Sequence, residues 1–72
     1  MEEKIINIIS GIIGEDISIC KNSHIKNDLG MTSLDMFLFV TKLETEFNCE
    51  IPVKEVIAWN IVGDVEKYLI SR

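Results

Sequence analysis

The sequence contains few of the residues from which enzyme sites are built. Its 72 residues include one histidine, His24, and two cysteines, Cys20 and Cys49. The cysteines lack the Cys-x-x-Cys spacing of zinc and redox sites, and no metal-ligand pattern or glycine-rich phosphate loop accompanies His24. The length fits one domain, residues 1–72, and a catalytic cleft of several hundred cubic ångströms would occupy most of its core. We therefore expect a protein that is not an enzyme and has no metal site.

Basic residues and long apolar runs are scarce as well. Seven lysine and arginine residues stand against 12 aspartate and glutamate residues, which gives a net charge of −5. This balance argues against a nucleic-acid or anionic-membrane surface and favours partners with basic patches. No apolar run approaches the roughly 18 residues of a membrane span, and Met1 precedes two glutamates rather than the basic and apolar start of a signal peptide. We expect a monomer in the cytoplasm, where both thiols stay reduced.

Apolar residues are abundant, at 47% of the chain, and this fraction excludes intrinsic disorder. Their spacing predicts four helices: one over 3–13, one from a cap at Thr32 to about Phe47, a short one over 53–58, and a last one after a cap at Asn60. The predicted fold is therefore all-α, a small four-helix bundle of three longer helices and one short helix.

Residues 15–31 show no helical period, and we interpret them as a long loop between helices 1 and 2. Four apolar side chains are expected to hold this loop to the core: Ile17, Ile19, Ile25 and Leu29. A loop of this length is uncommon inside a small domain. The segment is therefore either wrongly assigned or functional.

The second helix carries more apolar side chains than one buried face needs. A single narrow stripe forms the expected core face: Met36, Phe39, Val40, Leu43 and Phe47. Leu34, Phe37 and Leu38 point away from this stripe at the N-terminal end of the helix. We expect Leu34 and Leu38 to be exposed, while Phe37 is either exposed or covered by helix 1 or the loop. An exposed apolar patch beside charges, here Asp35, Lys42 and Glu44, is typical of a partner-docking surface.

Ser33 lies next to this patch, in a sequence that fits a capping box, Thr32-Ser33-Leu34-Asp35. If Thr32 caps the helix, the Ser33 hydroxyl is not needed for capping. It then lies at a helix N-terminus, whose N–H groups and dipole suit a phosphate. If Ser33 is itself the cap, the hydroxyl has only a structural role. The physical argument leaves both alternatives open.

The segment around Ser33 resembles the Asp-Leu-Gly…Asp-Ser-Leu signature of acyl carrier proteins. The stretch that carries the resemblance is Asp28-Leu29-Gly30-Met31-Thr32-Ser33-Leu34-Asp35. The similarity continues in order through Leu43-Glu44, Phe47, Glu50-Ile51-Pro52 and Tyr68. It extends from about Ile5 to Leu69, and the length fits a stand-alone member of that family.

The resemblance implies a four-helix bundle in which Ser33 receives 4′-phosphopantetheine. A phosphopantetheinyl transferase would move this group from coenzyme A, and acyl or aminoacyl groups would then be carried as thioesters. The further partners implied are a loading enzyme and downstream synthase enzymes. The resemblance also implies that helix 2 with the preceding loop is the docking face. The pattern of helix 2 assigns the following residues to this face: Leu34, Asp35, Phe37, Leu38 and Glu44.

Some positions depart from the pattern of fatty-acid carriers. Thr32 stands where these carriers usually have aspartate, and Leu38, Lys42 and Thr45 make the docking helix less acidic and more apolar. Fatty-acid, polyketide and peptidyl or aminoacyl pathways therefore all stay open. An unmodified helical adaptor is the remaining alternative, and such a protein would need no hydroxyl at Ser33.

Overall fold

The computed structural model describes residues 1–14 and 18–71, which contain four helices. Their bounds are α1 Glu2–Ile13, α2 Ser33–Phe47, α3 Val53–Ala58 and α4 Val62–Ser71. The predicted all-α class, with three longer helices and one short one, is confirmed. Helix α1 begins one residue earlier than predicted, and α2 begins directly after the proposed cap.

The core lies where α1 packs against α2 and α4. The side chains with the least exposure come from these three helices and the loop before α2: Ile5, Ile9, Ile25, Phe39, Leu43, Val62 and Val65. The stripe predicted on α2 faces this core, with Phe39 and Leu43 fully buried. Met36, Val40 and Phe47 pack partly buried at its margins. The core face of α2 is therefore as predicted.

The loop before α2 is tied to the start of α4 by backbone hydrogen bonds. Ile25 N–H donates to the Asn60 carbonyl at 2.9 Å, and Gly63 N–H donates to the Lys21 carbonyl at 2.7 Å. A Cβ at Gly63 would lie 3.2 Å from that Lys21 oxygen, which explains a glycine inside a helix. Leu29 is buried and Ile19 partly buried, so the predicted anchoring by Ile19, Ile25 and Leu29 is confirmed. Ile17 lies outside the described residues.

The start of α4 differs from the prediction, in which Asn60 was the cap. The Asp64 carboxylate instead accepts hydrogen bonds from the backbone N–H groups of Asn60 at 2.9 Å and Ile61 at 3.1 Å. These two donors lower the pKa of Asp64 because they favour its charged form. Asp64, inside the first turn, therefore supplies the side chain that binds the backbone N–H groups at the start of α4, rather than Asn60.

The connection from α2 to α3 depends on two residues. Asn48 ends α2 in the left-handed region, with φ at 50°, as expected for a residue that closes a helix. The Glu44 carboxylate accepts a hydrogen bond of 2.9 Å from the backbone N–H of Ile51, whose side chain is buried. These contacts turn the chain toward α3, and residues of α3 line the same surface clefts as residues from the N-terminal half of α2.

Candidate functional site

The signature segment before Ser33 forms a hydrogen-bonded turn. The Asp28 carboxylate accepts from the backbone N–H of His24 at 2.8 Å, and the Leu29 side chain is buried. Gly30 has φ at +63°, a conformation that residues with a side chain rarely adopt. Each of these three residues therefore has a structural role. Asp28 makes the turn contact, Leu29 anchors the segment in the core, and Gly30 supplies the left-handed backbone that leads into α2.

Thr32 is the N-cap of α2. Its Oγ1 accepts a hydrogen bond from the Asp35 N–H at 3.2 Å, and the Asp35 carboxylate accepts one from the Thr32 N–H at 3.0 Å. This is the reciprocal capping box that the sequence predicted. Of the two interpretations of the adjacent hydroxyls, the structure supports the one in which Thr32 caps the helix.

Ser33 is consequently the first residue of α2, with an exposed side chain. Its hydroxyl makes no hydrogen bond to any residue that the structure describes. The first turn of a helix has backbone N–H groups without an i−4 acceptor, and its dipole favours negative charge. A phosphate joined to this oxygen therefore fits the position electrostatically, and nothing in the capping arrangement has to change.

The surplus apolar side chains of α2 lie on the surface beside Ser33. Leu34 is 67% exposed, Phe37 66% and Leu38 41%. We call these three residues the α2 patch. The expected exposure of Leu34 and Leu38 is observed, and the open question about Phe37 resolves to exposure.

The two acidic residues assigned to the docking surface both have structural contacts. Asp35 is half-buried and belongs to the capping box, and Glu44 is half-buried and bound to the Ile51 N–H. The role of Asp35 followed from the capping-box pattern. That of Glu44 did not, because it depends on how the chain turns seven residues later.

Two small clefts open beside Ser33. The first, of about 210 Å³, lies between the loop, α2 and α3 and is lined by Ile25, Lys26, Ser33, Met36, Val56, Ile57 and Trp59. The second, of about 200 Å³, shares Ser33, Met36 and Val56 with it. Sequence reasoning assigned no site role to Lys26, Val56 or Ile57, because these residues approach Ser33 only through the tertiary fold.

Trp59 belongs to the core as well as to the wall of the first cleft, and the two cysteines line neither cleft. The Trp59 indole packs edge-on against Phe39 at 6.4 Å between ring centroids. Cys20 is exposed, and the pKa of its thiol is lowered because the Ser23 hydroxyl hydrogen-bonds to it. Cys49 is half-buried. The described residues contain no group of three or more His, Cys, Asp or Glu side chains suited to a metal ion.

Comparison with known proteins identifies the family. The sequence model of a family described as "Phosphopantetheine attachment site" matches residues 3–69. The chain belongs to the acyl carrier protein family. An acyl carrier protein of Lactobacillus acidophilus is 37% identical to it, with 99% of this chain and 95% of that protein covered. A solved structure described as an acyl carrier protein from Mycobacterium tuberculosis superposes with a TM-score of 0.89 at 35% identity, covering 96% of this chain and 93% of that one.

Membership of the acyl carrier protein family confirms the predictions about enzyme activity and cofactor, and the general class of partners. Acyl carrier proteins are carriers and not enzymes, and their cofactor is 4′-phosphopantetheine. They act with phosphopantetheinyl transferases and with synthase enzymes. Within residues 1–14 and 18–71, no helix combines the length and the apolar character needed to cross a bilayer.

Proposed function

We propose that this chain carries acyl groups on a 4′-phosphopantetheine arm attached to Ser33. The observation that supports the assignment is that two adjacent hydroxyls have different roles. Thr32 Oγ1 is occupied by the Asp35 N–H, whereas the Ser33 hydroxyl is exposed and unpartnered among the described residues. Of these two hydroxyls, Ser33 is the one that an enzyme can modify without dismantling a helix cap.

The attachment replaces the hydrogen of the Ser33 hydroxyl by a phosphodiester. Ser33 Oγ forms a bond to the pantetheine-bearing phosphorus of coenzyme A, the phosphoanhydride bond breaks, and adenosine 3′,5′-bisphosphate leaves. The transferase and Mg²⁺ supply the catalysis, and the hydroxyl proton passes to the transferase or to solvent. When bound, the arm supplies a terminal thiol that holds an acyl group as a thioester. The N-terminus of α2 stabilises the phosphate charge and fixes its position.

The α2 patch is proposed as the apolar centre of the surface that partner enzymes recognise. It lies within two turns of Ser33, and its three side chains are already exposed, so docking needs no rearrangement of the core. Asp35 and Glu44 add negative charge along the same helix, although their carboxylates also bind backbone N–H groups. We propose that they attract partners with basic surfaces.

Acyl groups are the cargo that we propose, because the two relatives described above are both described as acyl carrier proteins. We propose a fatty-acid or polyketide type for these groups. We also propose that residues 1–72 act as one carrier domain. The monomeric state, the cytoplasmic location and the reduced state of Cys20 and Cys49 stay predictions.

Intact-mass measurement tests the attachment. The purified protein is incubated with coenzyme A, Mg²⁺ and a broad-specificity transferase, and we expect the addition of one phosphopantetheine group. Ser33→Ala should abolish the addition, whereas Ser18→Ala, which removes another exposed serine hydroxyl, should leave it intact. Addition that persists in Ser33→Ala, or failure of the unmodified chain with every transferase tried, would overturn the proposal.

A further inference from the structure

The exposed apolar surface around Ser33 extends from the α2 patch onto α3. Val53 is 72% exposed and Ile57 is 76% exposed, which is more than any residue of the α2 patch. The two helices adjoin at the clefts beside Ser33, because Phe37 and Val53 line the second cleft and Ile57 lines the first. The exposed apolar side chains of both helices therefore form one surface, which we call the Ser33 face: Leu34, Phe37, Leu38, Val53 and Ile57.

Three exposed lysines border the Ser33 face. Lys26, from the loop before α2, lines the first cleft. Lys42 lies one helical turn beyond Leu38 on α2, and Lys54 directly follows Val53 on α3. None of the three ammonium groups makes an ion pair within the described residues. Positive charges from three separate elements are therefore available to an external anionic surface.

The acidic side chains close to this face are bound to the backbone or partly covered. The carboxylates of Asp28, Asp35 and Glu44 accept hydrogen bonds from backbone N–H groups, and Glu55 on α3 is half-buried. The acidic residues of α1 and α4 belong to helices that line neither cleft. The molecule measures 30 × 22 × 19 Å, so charges on its far side lie beyond the Debye length of about 8 Å and act only weakly at this face.

The net charge of −5 therefore does not describe the surface around Ser33. As a whole-chain value it argues against contact with an anionic membrane, whereas the local charges of the Ser33 face favour it. An apolar centre with lysines at its edge matches the interfacial region of a bilayer. Apolar side chains enter the boundary between headgroups and acyl chains, and lysine stems lie along apolar surface while their ammonium groups reach the phosphates.

We propose that the Ser33 face binds reversibly to the surface of a bilayer that contains anionic lipids. Its lysines come from three elements around the apolar residues, and this distribution suits many dispersed headgroups better than one acidic protein site. The inference goes beyond the proposed carrier function and does not depend on attachment at Ser33. Because partner enzymes are proposed to use the α2 patch, a bilayer and an enzyme compete for the same side of the molecule.

Co-sedimentation of the unmodified full chain with vesicles tests the inference. One set of vesicles contains phosphatidylcholine alone, and the other contains equal parts of phosphatidylcholine and phosphatidylglycerol. We expect the bound fraction to be about fivefold higher or more with the mixed vesicles, because lysines attract anionic headgroups. Equal binding to both vesicles would overturn the anionic-lipid proposal. Binding to neither would overturn the membrane contact itself and leave the Ser33 face to protein partners.

Ile57→Ser and Ile70→Ser form a matched pair for the apolar contact. Both isoleucines are largely exposed, at 76% and 65%, but Ile70 lies on α4, outside the Ser33 face. Ile57→Ser should lower binding to the mixed vesicles by about threefold or more, since interfacial affinity scales with the apolar area inserted. Ile70→Ser should bind like the parent chain. Equal losses in the two variants would show that the bilayer does not contact the Ser33 face.

A second pair changes the net charge by the same amount at two places. Lys26→Gln with Lys54→Gln removes two charges beside the Ser33 face, and Lys21→Gln with Lys67→Gln removes two exposed charges that line neither cleft. The first double variant should lose most of the preference for mixed vesicles, while the second should keep it. Circular dichroism checks that each variant is folded. Equal behaviour of the two double variants would overturn the role assigned to Lys26 and Lys54.

Discussion

The two sides of α2 carry equally apolar side chains in different surroundings. Phe39 and Leu43 are fully buried in the core, where α2 packs against α1, whereas Leu34 and Phe37 leave about two-thirds of their area in water. Burial of a large apolar side chain contributes about 1.5–3 kcal/mol to folding, so the outer residues forgo much of that stabilisation. A domain of 72 residues has little stability to spare. The outer side is therefore explained better by recognition than by folding.

Leu43→Ala and Leu34→Ala give the largest expected contrast, because they remove the same atoms from opposite sides of one helix. Leu43→Ala leaves a cavity in the core and should reduce the free energy of unfolding by about 2–5 kcal/mol. Leu34→Ala should change it by less than about 0.5 kcal/mol, as is usual for exposed sites. Urea denaturation followed by circular dichroism measures both. Comparable losses would show that Leu34 is part of the core.

Leu34→Ala also sharpens the comparison when the rates of partner reactions are measured. Leu34→Ala should slow modification by the cognate transferase or loading enzyme about tenfold, since truncation of a docking hot spot costs upwards of about 1–2 kcal/mol. Glu50→Gln, at an exposed acidic residue outside α2, serves as a control and should leave the rate within a factor of two or so. A rate for Leu34→Ala equal to that of the control would remove the α2 patch from the docking surface.

The features that could be predicted from the sequence are those that depend on residues close together in the chain. The helical period placed the core face of α2, and the capping box needs only Thr32 and Asp35, three residues apart. The features that could not be predicted join distant segments. The cleft brings Lys26 of the loop near Trp59 beyond α3, and the Glu44 contact with Ile51 depends on the turn between them.

Thr32→Ala and Ser33→Ala compare two adjacent hydroxyls with separate roles. Thr32→Ala removes the acceptor of the Asp35 N–H and should reduce the free energy of unfolding by about 0.5–2 kcal/mol. Ser33→Ala removes no hydrogen bond that the described structure contains and should leave that free energy nearly unchanged, while it abolishes modification. Thermal and denaturant unfolding of the unmodified proteins provide the measurement. A larger loss for Ser33→Ala than for Thr32→Ala would reverse the assignment of the cap.

The smallest expected effect on stability concerns the start of α4. There the Asp64 carboxylate can be compared with the Asp35 carboxylate at the start of α2. Asp64 holds two backbone N–H groups with a carboxylate whose pKa lies below its ordinary value of 3.8, because the N–H groups of Asn60 and then Ile61 donate to it. A lowered pKa in the folded state means that the stabilisation is present above pH 3.8. It is lost as the pH falls through the folded-state pKa. Protonation at Asp64 should therefore loosen α4 only in acid.

Asp64→Asn keeps an oxygen acceptor but removes the charge, and at neutral pH it should cost about 0.3–1 kcal/mol, the usual size of a charge–dipole interaction. The difference in unfolding free energy from the parent chain should shrink as the pH falls below 3.8. Glu66→Gln, on the same helix, measures the effect of losing one negative charge without losing a cap, and its effect is subtracted. A difference that stays constant from pH 7 to pH 3 would show that the Asp64 charge does not stabilise the fold, whereas one that vanishes in acid would show that this charge stabilises the start of α4.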